Sequence, residues 1–177
     1  MKKSAQTSIH ISIVKQRLSL KRGRSTAYSY PISTSKYGLG AEEGSKKTPV
    51  GRFRIAEKIG GGNPANTVYK SRQPVRISAK TLQADDLVMS RILWLDGLEV
   101  GNANTFDRYI YIHGTNHEEQ IGNPASHGCI RMKNVDVAEL FELVEVDTPV
   151  VIAAPRASSA KKRKVRKPLP RGSELPK

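Results

Sequence analysis

The sequence predicts a mainly β domain, sandwich-like or barrel-like, with one or two short helices. Three observations carry that expectation. Apolar and polar residues alternate in several short runs, the period-2 signature of half-buried strands. Two further runs, Ile92–Leu95 and Tyr109–Ile112, are dense in β-branched and aromatic residues, which suit a pleated surface. Helical spacing of apolar residues is clear at Val137, Leu140, Phe141 and Val144.

Along the chain, Ile9, Ile11 and Ile13 alternate with His10 and Ser12, and Leu18 and Leu20 resume the pattern after Lys15-Gln16. That predicts a hairpin, with Gly23 opening the next turn. Residues Ala27 to Thr34 predict a strand with Tyr28, Tyr30 and Ile32 on one face, and Pro31 confines it to an edge or a bulge. Residues 35–48 read as a loop, and Val50–Ile55 restores alternation. The run Gly60-Gly61-Gly62 is another loop; no Lys-Ser/Thr follows it, which argues against a phosphate cradle. From there to Asp86 no period is clear, and the segment reads as a long surface excursion. Asn134 is placed to cap the helix, and Pro149–Ile152 is a closing strand. From Ala157 onward Ser, Lys, Arg and Pro dominate without periodicity. Residues 1–7 are therefore an arm, 8–155 the domain, and 156–177 a basic tail.

The net charge of +14 resembles that of a nucleic-acid binder until it is located. Residues 1–24 hold seven Lys/Arg and no acid, and residues 156–177 hold nine with one acid, Glu174. Residues 25–155 keep fourteen basic and fifteen acidic side chains, so the body is close to neutral. Basic ends read first as solvated arms; a weak contact of the tail with an anionic surface is the sharper alternative. Lys161-Lys162-Arg163-Lys164 has no aromatic neighbour on which a base would stack, so no specific nucleic acid is expected. No apolar run has the length of a membrane-spanning helix. Met1-Lys2-Lys3 has the charge of an export leader, but Ile9–Val14 is interrupted by polar residues and no cleavage site follows. The expectation is a cytoplasmic protein, with a periplasmic one as the alternative if the chain is truncated or exported by another route.

A single cysteine, Cys129, excludes an intramolecular disulfide framework. Three of the four histidines lie from His113 to His127, two residues before it. A thiol attacks a carbonyl as its thiolate and needs a base or a positive field beside it. His113 at a strand end supplies the base, and Gly114 beside it allows close approach. The backbone N–H groups of Gly128 and Cys129 are candidate oxyanion donors. Arg131 shares a face with Cys129 if the segment is extended, bringing a cation near the thiolate or a substrate carboxylate. Singly, each has a plainer reading: a satisfied strand histidine at 113, a surface residue at 127, and an Arg131 paired with Glu139 or Glu142. Together they meet several catalytic needs at once. The rival is a zinc site of His113, His117, His127 and Cys129; turn chemistry at Gly114-Thr115-Asn116 argues against it.

The stretch Ile112-His113-Gly114, then Pro124-Ala125-Ser126-His127-Gly128-Cys129-Ile130-Arg131-Met132, resembles the signature of the YkuD-type L,D-transpeptidases. Thr48-Pro49-Val50-Gly51-Arg52-Phe53 is similar to that family's strand entry, and the likeness runs over residues 8–153. The resemblance implies a β-rich catalytic domain acting on peptidoglycan stem peptides or muropeptides. Its cysteine opens the L,D-bond after meso-diaminopimelate through a thioester, without cofactor or metal, and is open to acylation by carbapenems. Carried over, Cys129 is the nucleophile, His113 the base, and the Gly114 carbonyl its orienting group; Ser126, His127, Gly128 and Arg131 line the site. Several members carry Asn where Arg131 stands and Ser where Gly114 stands. Signal-less members resembling cytoplasmic L,D-carboxypeptidases of murein recycling make hydrolysis the expected outcome, with cross-linking or D-amino-acid exchange in the cell wall as the alternative.

Overall fold

A computed structural model describes residues 6–80 and 86–155. The expectations for residues 1–5 and for the basic tail from 156 on lie outside these described residues.

Among these described residues ten strands form one sheet: β1 (Thr7–Ser12), β2 (Arg17–Arg22), β3 (Ser25–Pro31), β4 (Gly51–Ile59), β5 (Val68–Lys70), β6 (Gln73–Val75), β7 (Val88–Gly97), β8 (Tyr111–Gly114), β9 (Ile130–Met132) and β10 (Pro149–Ala153). The helix α1 (Asn134–Leu143) lies between β9 and β10. Hydrogen bonding runs in the order β3-β2-β1-β10-β4-β7-β5-β6, while β8 joins β7 to β9. The β1–β10 and β8–β9 pairs are parallel and the rest antiparallel. The strands themselves leave the sheet open. One bridge, Ser33 with Arg131, links the chain beyond β3 to β9, with hydrogen bonds of 2.9 and 2.8 Å in the two directions. The build is thus barrel-like.

The period-2 reading explains the interior. Ile9 faces Leu20 and Val150, and Ile11 faces Leu18 and Ile152, all buried in one core with Phe53, Leu93, Leu95, Ile112, Ile130 and Met132. Each such side chain contributes about 1.5–3 kcal/mol by leaving water. The buried residues of α1, Val137, Leu140 and Phe141, lie at helical spacing and close this core.

Several boundaries differ from expectation. Tyr109 is not in a strand: it takes φ +55° in a turn, and β8 begins at Tyr111. The strand from Ala27 stops at Pro31, where a missing N–H ends the ladder; Ser33 and Ser35 make isolated bridges beyond it. Asn134 is not the cap of α1. Lys133 holds that position without a side-chain bond, and the Glu118 carboxylate accepts the Asn134 N–H at 2.6 Å instead. The excursion after Gly62 contains the short β5–β6 pair.

Candidate active site

Strand β7 has core on both faces, and this places the site. Leu93 and Leu95 point into the main core, while Ile92 and Trp94 join Tyr69 and Tyr111 in a second apolar cluster. Strand β8 pairs with β7 as Ile92↔His113, Leu93↔Ile112 and Trp94↔Tyr111, and with β9 as Ile112↔Ile130 and His113↔Arg131. Alternation then sends Ile112, Ile130 and Met132 inward. Tyr111, His113, Cys129 and Arg131 share the other face, where Cys129 packs against the second cluster.

Cys129 is held from two sides. Its thiol donates to the Tyr109 carbonyl at 3.4 Å, and the Tyr111 N–H donates to its sulfur at 3.4 Å. The residue keeps some exposed surface, yet the aromatic wall withholds solvation from the sulfur. Burial pushes the thiol up to about 11, the Asp86 charge adds to this, and the Tyr111 N–H, Arg131 and Arg108 oppose it. At rest Cys129 is a thiol.

His113 is buried. Its Nδ1 lies 2.6 Å from the Gly114 carbonyl. A carbonyl only accepts, so Nδ1 carries the proton and Nε2 is the basic nitrogen. Burial pushes this imidazole well below its ordinary range, and the Gly114 bond pulls the other way. Gly114 is required by space: a Cβ there would meet Asn134 Oδ1 at 2.2 Å and the Met89 carbonyl at 2.8 Å.

The loop before Cys129 is built by residues that sequence reasoning missed. Ala125 and Ser126 both donate their N–H groups to the Thr34 carbonyl, at 2.9 and 3.0 Å. Gln16, buried in the β1–β2 turn, holds Thr34 in turn through both side-chain atoms at 2.8 Å. Thr48 Oγ1 donates to the Gly128 carbonyl at 2.9 Å. Gly128 takes φ +125°, a region L-residues avoid. Its N–H reaches Ser126 Oγ at 3.3 Å, so at rest it is turned to that hydroxyl. Ser126 Oγ donates to the Cys129 carbonyl at 2.6 Å. Ser126 therefore ties the loop to the candidate nucleophile, and Ser126→Ala leaves a buried N–H and a half-buried C=O without this partner. The expected loss is about 1–3 kcal/mol of stability, read by urea unfolding.

Arg131 does not pair with Glu139, which accepts from Tyr30 at 2.8 Å. It pairs with Asp86, as does His127 through Nδ1 at 3.0 Å. The zinc set is not assembled: His117 turns to Glu119 and His127 to Asp86. Among the described residues no three His, Cys, Asp or Glu side chains group as metal ligands. None of the helices among those residues is long and apolar enough to cross a membrane.

Residues 6–152 match the family described as the YkuD L,D-transpeptidase catalytic domain. The chain is 40% identical over 117 residues to a putative L,D-transpeptidase, YqjB, of Bacillus subtilis, covering 66% of this chain and 57% of that protein. It is 51% identical over 130 residues to the probable L,D-transpeptidase YbiS of Escherichia coli K12, covering 73% of this chain and 38% of that protein. It thus spans under two thirds of either relative. In fold it is similar to an L,D-transpeptidase from Mycobacterium smegmatis, with TM-score 0.53 and 19% identity over 85% of this chain and 59% of that one. LdtMt1 in complex with imipenem gives TM-score 0.54 and 18% identity over 84% and 59%. With the family match running from β1 into β10 and taking in His113, Cys129 and Arg131, the chain belongs to the YkuD family of L,D-transpeptidase catalytic domains.

Proposed function

We propose that this domain performs cysteine acyl transfer at the L,D-peptide bond between meso-diaminopimelate and D-Ala in peptidoglycan tetrapeptide stems. One observation carries the reading: an imidazole with its Nδ1 proton tied to a backbone carbonyl shares a sheet face with the chain's single cysteine. The Cys129 sulfur attacks the carbonyl carbon as His113 Nε2 takes the thiol proton. The oxyanion accepts the Cys129 N–H. His113 then gives its proton to the departing D-Ala nitrogen, the C–N bond breaks, and a thioester remains. Water or an amine attacks that thioester, and the sulfur leaves and regains a proton. Ser126 shapes the loop, and His127 and Arg131 face the substrate.

The assay is incubation with disaccharide-tetrapeptide, with and without an added D-amino acid. Tripeptide formed without acceptor supports L,D-carboxypeptidase action. Exchange products alone support transpeptidation and sink the hydrolytic role, and neither product sinks the whole reading.

A further inference from the structure

Arg131 is a buried cation, with a side chain only 2% exposed. Its Nη1 donates to Gln120 Oε1 at 3.2 Å and its Nη2 to Asp86 Oδ2. Among the described residues its Nε is buried without a partner. The same Asp86 oxygen takes His127 Nδ1 at 3.0 Å. One carboxylate oxygen therefore bridges a guanidinium and an imidazole that stand two residues after and two before Cys129. One guanidinium N–H and one imidazole N–H thus converge on a single carboxylate oxygen, the kind of donor pair that holds a carboxylate. It opens to solvent on one side, because the Asp86 side chain is 30% exposed and that of His127 41%. Tyr37 packs on the His127 ring at 5.7 Å and forms a wall.

A purely structural counterion would explain the pair equally well if nothing could replace it, since an unpaired buried cation is costly. The difference lies in exchange. A ligand carboxylate taking Asp86's place keeps the charge balance and both donors satisfied, so the swap costs little beyond moving one side chain. Asp86, tethered at high effective concentration, would then exclude ligands that bring no carboxylate.

We propose that Arg131 and His127 form a carboxylate-binding subsite, that Asp86 fills it in the free protein, and that the carboxylate of an incoming peptide displaces it. The proposal rests on reading this face as the active site, and it makes Asp86 a specificity-determining residue.

The test is equilibrium binding to the full chain in a Cys129→Ala background, where no thiol chemistry enters. Failure here leaves the acyl-transfer reading standing, and failure of that reading leaves this measurement intact. The probes are N-acetyl-D-alanine, its amide, and N-acetyl-D-isoglutamine, whose single carboxylate is on the side chain. Asp86→Asn should bind N-acetyl-D-alanine at least about tenfold more tightly than the parent by calorimetry. Its melting midpoint should rise with the acid and not with the amide, and adding Arg131→Lys should cancel the gain. A gain confined to N-acetyl-D-alanine assigns an α-carboxylate; an equal gain with N-acetyl-D-isoglutamine assigns any carboxylate, and either supports the subsite. Lower stability with no acid-dependent rise, or equal binding of acid and amide, overturns it. Should Asp86→Asn not fold, the parent chain carries the test. Saturating N-acetyl-D-alanine must shift the His127 imidazole resonances while the amide does not, and no shift overturns the proposal.

Discussion

Cys129→Ala is expected to lose all covalent labelling by a carbapenem such as imipenem and to drop turnover by more than about 10⁴-fold. Intact mass spectrometry reads the first effect and tripeptide release the second. The size follows from the chemistry, because without the sulfur no acyl-enzyme forms and water must attack the amide directly. The resting state adds a second expectation. With the thiol pushed up to about 11 by burial, only on the order of one Cys129 in 10⁴ is thiolate at pH 7. Iodoacetamide should therefore label wild-type Cys129 more slowly at pH 7 than it labels free cysteine. The chain's single cysteine makes the readout unambiguous. An adduct surviving in Cys129→Ala would undo the catalytic reading, and fast labelling of the wild type would undo the account of its resting state.

His113→Gln should cut turnover by about 10²–10⁴-fold while the protein still folds. A protonated resting thiol makes base assistance necessary, and the glutamine amide accepts no proton. The same residue sets a pH signature. Burial holds the folded imidazole below its ordinary 6.5, so the base stays competent into mildly acid solution, and kcat/KM should fall only below that value. For stability, the unfolded chain binds a proton at 6.5 that the folded chain refuses until its lowered value. Stability contributed by keeping His113 neutral is thus fully present above 6.5 and lost as pH falls towards the folded value. The melting midpoint should drop over this window in the wild type and less in His113→Gln. His10, also lowered by burial and by Lys21, keeps its own share in both. An unchanged slope in the variant would show that His113 titrates normally.

The grouping of the candidate residues was legible because it is local. Cys129, the Ser126–Arg131 run and His113-Gly114 stand close in sequence, and one strand register aligns them. The Gly114 carbonyl is next to its histidine in the chain, so its contact with Nδ1 needed no long-range knowledge. Asp86 was not legible. It lies 41 residues before His127 and 45 before Arg131, in a stretch without a periodic pattern, and nothing local marks an aspartate as the partner of a distant guanidinium. Gln16 and Thr34 escaped for the same reason: a polar residue in a turn looks solvated until the fold buries it. Tyr109 reads as strand from sequence because β-branched and aromatic density does not report where a ladder begins.

The sequence alone sets the β-rich class, the inward set of Ile9 and Ile11, the apolar helical face of Val137, Leu140 and Phe141, and the grouping of one cysteine with nearby histidines. Side-chain period and residue chemistry are properties of neighbours along the chain, so they survive without the fold. The fold alone sets which carboxylate meets Arg131, which way the Gly128 N–H turns, and the burial that pushes the Cys129 thiol up. Those depend on burial and on contacts between segments 41 to 80 residues apart. Distant contacts and loss of water are created together when the sheet curls round its core, and no local pattern encodes them.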